Sequence, residues 1–281
     1  NSKIVSFAAI WSLGNFPDAR VPTFHKFVDR FFIWGDWHSN ILSSSKDQSL
    51  GYVISGYIGD IDFTIMQDSA ALLRSKYKKN YLNIIALYDT GVFDDCFFNN
   101  EIANNLLTAI MKIAEINNSL VILKSKFNSN LYSKALHQYS KNLIVDYNKG
   151  SLIPALAADV VIGVENSTPV ILAALMNKRV INFNYANTVW DDWELNYASD
   201  ITMVGSFESL QKQLIIKLSQ EDKPYSNTKI TPFLDGDSQK RMAGYMNDVS
   251  DKMYKGKMNA LQDADSKYIY KYGLDKIIIN G

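Results

Sequence analysis

The sequence predicts an α/β fold: an open, parallel sheet with helices on both faces. Three observations lead there. Short runs rich in valine, isoleucine and aromatic residues recur from about Tyr52 onward, each the length of a buried strand. Segments with helical periodicity stand between them, and strands alternating with helices build parallel sheets. The stretch Asp159–Phe183 holds the whole grammar without interruption. An apolar run is followed by the polar turn Glu165-Asn166-Ser167-Thr168, then by an apolar helix opened by Pro169, then by a second apolar run.

Taken in order, Asn1 to Ser49 carries Trp11, Trp34, Trp37 and one strand-like run, Arg30–Trp34. That is too little for a second complete sheet. Strands are expected at Tyr52–Ser55, Asn83–Tyr88, Leu120–Lys124, Asn142–Asp146, Val160–Val164, Val180–Phe183 and Ile201–Val204. Ile102, Leu106, Leu107, Ile110, Ile113 and Ala114 recur at helical spacing and mark one buried face. Further helices are expected around Leu131–Tyr139, over Ser151–Ala158 with Ser151 as cap, after Thr168, and from Phe207 to Leu218. Lys223–Pro232 is a polar linker, and Asp235-Gly236-Asp237 opens a helix reaching about Met253. The charged, tyrosine-rich stretch Asp263–Tyr272 reads as a surface helix.

Composition bounds the function. Lysine plus arginine and aspartate plus glutamate number 29 each, so bulk charge points to no polyanion partner and leaves only local clusters. The single cysteine, Cys96, has no internal partner, which points to a reducing compartment. No run of apolar residues is long enough to span a bilayer, and the first residues lack the order of a signal peptide. His25, His38 and His137 are scattered, so a zinc site is not expected. Neither a Walker sequence nor a Gly-x-Ser-x-Gly nucleophile turn is present. Gly56-Tyr-Ile-Gly59 lacks the third glycine and the helix of a dinucleotide fingerprint. Asp191-Asp192, between Trp190 and Trp193, reads either as a ligand for a metal or a sugar hydroxyl or, more simply, as a solvated loop with anchoring tryptophans.

The candidate chemistry lies at strand exits. Thr168 is placed as an N-cap and Pro169 as the first helical residue, where its missing N–H costs nothing. The helix start then aims backbone N–H groups and a positive dipole end beyond the strand, where an anion, usually phosphate, is held. In open α/β sheets that space is where ligands bind. Glu165, Asn166, Ser167 and Thr168 offer two hydroxyls, an amide and a carboxylate there; the plainer alternative is helix capping alone. Lys124 and Lys126 end another strand and alternate to the same side, where two ammonium groups could neutralise a diphosphate; the alternative is a pair of solvated lysines. Asp89-Thr90-Gly91 forms a third exit. Gly91 permits close backbone approach and Thr90 could donate to phosphate, or the three residues make a plain turn.

These pieces, in this order, resemble the nucleotide-sugar-binding half of a GT-B glycosyltransferase of the bacterial surface-polysaccharide type. The marks are Phe32-Ile-Trp-Gly35, Gly56-Tyr-Ile-Gly-Asp60, Ile85-Ala-Leu-Tyr-Asp-Thr90, Ile122-Leu-Lys-Ser-Lys126, the Asp159–Phe183 block, and Asp235-Gly236 leading into Arg241. The resemblance covers residues 30 to 254 and implies a Rossmann-like, GT-B C-terminal domain. On it, residues 1–49 are the remnant of an N-terminal domain or interdomain crossing, 50–222 the donor-binding domain, and 223–281 a linker and closing helices. It places Thr90, Gly91, Lys124, Lys126 and Glu165 to Thr168 against the donor. It implies transfer of a sugar from a nucleotide-activated donor to a surface polysaccharide or lipid-linked glycan. The donor is substrate, so no cofactor and no metal are expected, nor is nucleic acid a partner. The expected partners are the nucleotide-activated sugar, a glycan acceptor and a separate or missing N-terminal domain. The expected location is cytoplasmic, with room for peripheral association at the inner face of the membrane.

Two departures stand out. Many of these enzymes hold the ribose through a glutamate in the helix after the phosphate turn, whereas Ile171-Leu-Ala-Ala174 has no acid; a different ribose contact, or a donor such as a CMP-linked sugar, would be needed. The domain that commonly supplies the base is largely missing, so no catalytic base is assigned. Transfer of a polyol phosphate, as in teichoic-acid-type polymerases, and a non-catalytic binding module in a polysaccharide-assembly complex remain the alternatives.

Overall fold

A computed structural model describes residues 4–9, 28–35, 51–60, 63–89, 100–125, 137–146, 150–164, 167–176, 178–185, 201–220, 235–273 and 277–279. The chain forms two units, residues 65–227 and a discontinuous one made of 1–64 and 228–281.

The continuous unit is an all-parallel, six-stranded sheet, as its long apolar runs require. Its strands are β4 (Asn83–Tyr88), β5 (Ser119–Lys124), β6 (Leu143–Val145), β7 (Val160–Val164), β8 (Arg179–Phe183) and β9 (Ile201–Val204). They lie in the order β6-β5-β4-β7-β8-β9. The chain begins in the middle, winds outward to β6, returns to the middle at β7 and winds outward the other way. This is the doubly wound arrangement, with its topological switch point between β4 and β7.

Alternation assigns the two faces. Ile85, Leu87, Val121, Leu123, Val160, Ile162, Val164, Ile181 and Phe183 pack in one core with residues of α2 (Asn100–Ile116) and α5 (Phe207–Ser219). Tyr88, Lys124, Gly163 and Asn182 therefore project from the opposite face. That face carries α3 (Ile153–Ala157) and α4 (Thr168–Leu175). The Tyr88 hydroxyl donates to the Ser151 carbonyl at 2.6 Å and accepts from the Ala155 N–H at 2.9 Å, which fixes α3. Burial holds this phenol far above its ordinary pKa, so it stays protonated. Helix α4 lies so close to β7 that a Cβ at Gly163 would stand 2.5 Å from a Val170 methyl. Glycine here serves close packing.

A buried carboxylate organises the strands' N-terminal rim. Asp159 accepts from the Ile84 N–H at 2.8 Å and pairs with Arg74 at 2.6 Å, Lys78 at 3.0 Å and Arg179 at 3.7 Å. Arg74 also donates to the Ala157 carbonyl, and Arg179 to that of Lys217. The hub thus ties the ends of α1 (Phe63–Tyr77), α3 and α5 to the starts of β4, β7 and β8. Burial by itself would raise the Asp159 carboxyl, but the bonds from Arg74, Ile84 and Lys78 outweigh it and hold the pKa below its ordinary value.

The discontinuous unit holds a second sheet, to which residues 1–49 contribute two of the four described strands. Here β1 (Phe7–Ala9), β2 (Arg30–Ile33) and β3 (Gly51–Ile54) run parallel, and β10 (Ile277–Ile279) adds an antiparallel edge to β3. β3 and β10, the latter from the far end of the chain, complete what residues 1–49 lack. The run read at Tyr52–Ser55 accordingly belongs to this sheet, not to the doubly wound one. Helices α6 (Ser238–Lys252) and α7 (Lys257–Tyr272) pack on it through Met242, Tyr245, Val249, Ala260, Leu261, Ala264 and Tyr268, against Phe32 and Val53. The expected surface helix at Asp263–Tyr272 is therefore half core. Buried Arg30 donates to both oxygens of Asp265, which also accepts from the Tyr245 hydroxyl. The charge and lysines of this stretch masked an apolar stripe at Ala260, Leu261, Ala264 and Tyr268.

Two cap assignments also shift. Leu152, not Ser151, occupies the N-cap of α3, and Ser151 instead gives its carbonyl to Tyr88. Ser167, not Thr168, caps α4, which puts Pro169 at the second helical position. Proline is tolerated there because the first N–H groups of a helix have no intrahelical acceptor. The helix expected around Leu131–Tyr139 lies mostly outside the described residues.

Candidate functional site

Three of the candidate residues, Lys124, Ser167 and Thr168, are described, and they lie toward the carboxyl end of the doubly wound sheet. At the carboxyl end of the sheet, Lys124, Tyr88, Gly163, Asn182 and Met203 stand side by side on five adjacent strands. Neighbouring strands are about 4.8 Å apart, so Lys124 and Gly163 are roughly 10 Å apart along the row. Gly163 and Val164 lead toward Ser167 and the start of α4. Ser167 has an extended backbone (φ −132°, ψ 122°), and its carbonyl accepts from the Val170 and Ile171 N–H groups. Its hydroxyl makes no capping hydrogen bond. Lys124 and α4 occupy the same face of the sheet, and Ser167 is partly exposed.

Lys124 has a partner that sequence reasoning missed. Its ammonium lies 3.2 Å from Asp146, which follows β6, and the lysine side chain is 12% exposed. Sequence offered no local cue, because β6 joins β5 only through the fold. Asp89, at the β4 exit, is buried and accepts from the Ser125 hydroxyl at 2.9 Å. This bond draws the exits of β4 and β5 together. Asn182 is buried, and its amide nitrogen faces the Met203 sulfur at 3.7 Å.

Of the sequence-predicted residues, Lys124, Ser167 and Thr168 are thus placed at the carboxyl end, on or beside the face that α4 covers. Thr90, Gly91, Lys126, Glu165 and Asn166 lie outside the described residues, as does the Trp190–Trp193 segment. In the discontinuous unit, two of the sequence marks meet. The Ser238 hydroxyl donates to the Gly56 carbonyl at 3.3 Å, and the Gln239 amide to that of Ile58 at 3.1 Å. Buried Arg241 donates to the Ser55 carbonyl at 2.9 Å and to both oxygens of Asp235, at 2.8 and 2.9 Å. Gly56 and Gly236 have positive φ, 87° and 80°, which allows both tight turns. These marks fasten α6 to the end of β3.

No family model and no curated protein sequence matches the chain. Solved structures do. A putative UDP-N-acetylglucosamine 2-epimerase from Listeria monocytogenes aligns at a TM-score of 0.56 and 12% identity, over 80% of this chain and 60% of that one. An S. aureus MnaA–UDP structure gives 0.55 and 12%, over 83% and 62%. A variant of the wall teichoic acid polymerase TagF gives 0.50 and 16%, over 85% and 60%. At such identity the likeness establishes the fold, which is Rossmann-like and of GT-B type. The chain spans about 60% of the length of these relatives.

Proposed function

We propose that the chain binds a nucleotide-activated sugar at the β4–β7 switch point, as the donor-binding part of a glycosyltransferase building a surface polysaccharide or lipid-linked glycan. One observation carries this reading: the winding reverses between β4 and β7, and α4 begins there with a serine N-cap whose hydroxyl is not spent on capping. A diphosphate in that position meets the positive end of a helix and a hydroxyl donor. Lys124 is one strand from the switch point; exchanging its Asp146 contact for phosphate oxygens would bring its charge to the leaving nucleotide. Thr90, Gly91, Lys126, Glu165, Asn166 and Thr168 are the remaining proposed contacts. The likeness to a UDP-bound relative supports a nucleotide ligand.

Calorimetric titration of the whole chain with UDP, CDP, GDP and CMP tests the reading. One nucleotide should bind, and Ser167→Ala should weaken it about tenfold, the worth of one hydrogen bond to a charged group. Binding to none of the four overturns the reading. The likeness to TagF favours a second reaction on the same site, transfer of a polyol phosphate. A product assay that separates transferred sugar from transferred polyol phosphate decides between them.

A further inference from the structure

We propose that Asn182 accepts a hydrogen bond from a ribose hydroxyl of the bound nucleotide and so selects ribonucleotides at this site. The inference rests on the nucleotide reading and adds to it the group that receives the sugar. The polar groups placed at the α4 start and on β5 are donors: backbone N–H groups, the Ser167 hydroxyl and the Lys124 ammonium. Those suit phosphate oxygens. A ribose hydroxyl also needs an acceptor, and α4 supplies little, since Thr168 is the only polar residue in Thr168–Leu175. The described carboxylates at the neighbouring strand exits are engaged, Asp89 by the Ser125 hydroxyl and Asp146 by Lys124.

Asn182 has an acceptor to give. The residue is 1% exposed, and its Nδ2 donates to the Met203 sulfur at 3.7 Å. Among the described residues, its Oδ1 has no hydrogen-bond partner. A buried amide oxygen left in this way costs free energy that an apolar side chain would not, and such a group calls for a function. Alternation puts Asn182 on the face that α4 covers, and its two row neighbours differ. Gly163 on β7 lies under Val170 of α4, whereas Met203 on β9 is 39% exposed. The flexible thioether is thus the side chain that a ligand displaces to reach the amide. Position favours the sugar over the base. Asn182 stands about 4.8 Å from Gly163, on the strand that leads to Ser167, and the ribose is the part of a nucleotide joined to the phosphate.

Calorimetric titration of the whole chain with whichever of UDP, CDP, GDP and CMP binds, and with its 2′-deoxy and 3′-deoxy analogues, tests this. One of the two analogues should bind the parent about tenfold more weakly than the ribonucleotide, the worth of one hydrogen bond to a buried acceptor. Asn182→Leu should bind the ribonucleotide about tenfold more weakly and no longer distinguish it from that analogue. The Met203 methyl resonance, assigned through Met203→Leu, should shift when ribonucleotide is added. Equal affinity of the parent for all three compounds overturns the proposal, and this arm needs no variant to fold. So does a Met203 methyl that does not move. An asparagine with a merely structural role would lower the melting temperature on replacement and leave the discrimination intact, which also overturns it. Failure of all four ribonucleotides to bind the parent overturns the nucleotide reading and this inference with it, whereas binding without discrimination overturns this inference alone.

Discussion

At the scale of single residues, charge burial decides the outcome more than charge count. Asp159 is one carboxylate facing Arg74, Lys78 and Arg179, and it is the most interior of the four. Asp159→Asn should therefore cost about 2–4 kcal/mol, somewhat below a fully buried pair because Arg74 and Lys78 are partly solvated. Urea unfolding measures it. The sign of the pH effect follows from the lowered pKa. The stabilisation is complete above the unfolded carboxyl value of about 4 and is lost as pH falls through the lower folded value. The variant should consequently show a shallower loss of stability below about pH 4. Sequence could show Asp159 opening a strand but not its cations, which come from residues 74, 78 and 179.

At the scale of elements, the contact of α4 with β7 sets where the helix points. Gly163→Ala places a methyl 2.5 Å from Val170, and both groups are held in the core. Overpacking of this kind costs about 1–3 kcal/mol. Thermal unfolding should register the loss, and displacement of α4 should weaken any nucleotide bound at Ser167. Unchanged affinity with reduced stability would separate the helix start from the ligand. Helix α7 teaches the complementary lesson. Its lysines and aspartates read as a solvated surface, yet Asp265 is spent on Arg30 and Tyr245 inside the core.

At the scale of the molecule, the two units differ in how they are assembled. The doubly wound unit is continuous and has its own large core, so a fragment of residues 63–227 should fold alone. Cooperative thermal unfolding and dispersed amide resonances would show it; a molten fragment would contradict it. The discontinuous unit needs both ends of the chain, because β10 pairs with β3 and α6 and α7 cover its sheet.

The sequence by itself determined the six strands of the doubly wound unit, though not its first helix, α1. Asn83–Tyr88 and Val160–Val164 are strands at the positions their apolar runs mark, because a strand buried on both faces needs a local, continuous apolar segment. It also marked the polar turn before α4, since a helix start needs nearby residues only. Sheet membership came from tertiary structure. Tyr52–Ser55 looks like any other buried strand, and only long-range pairing with β2 and β10 assigns it to the first sheet. The partner of Lys124 and the burial of α7 were decided at that level too. Each depends on which distant surface covers a residue, and local periodicity carries no such information.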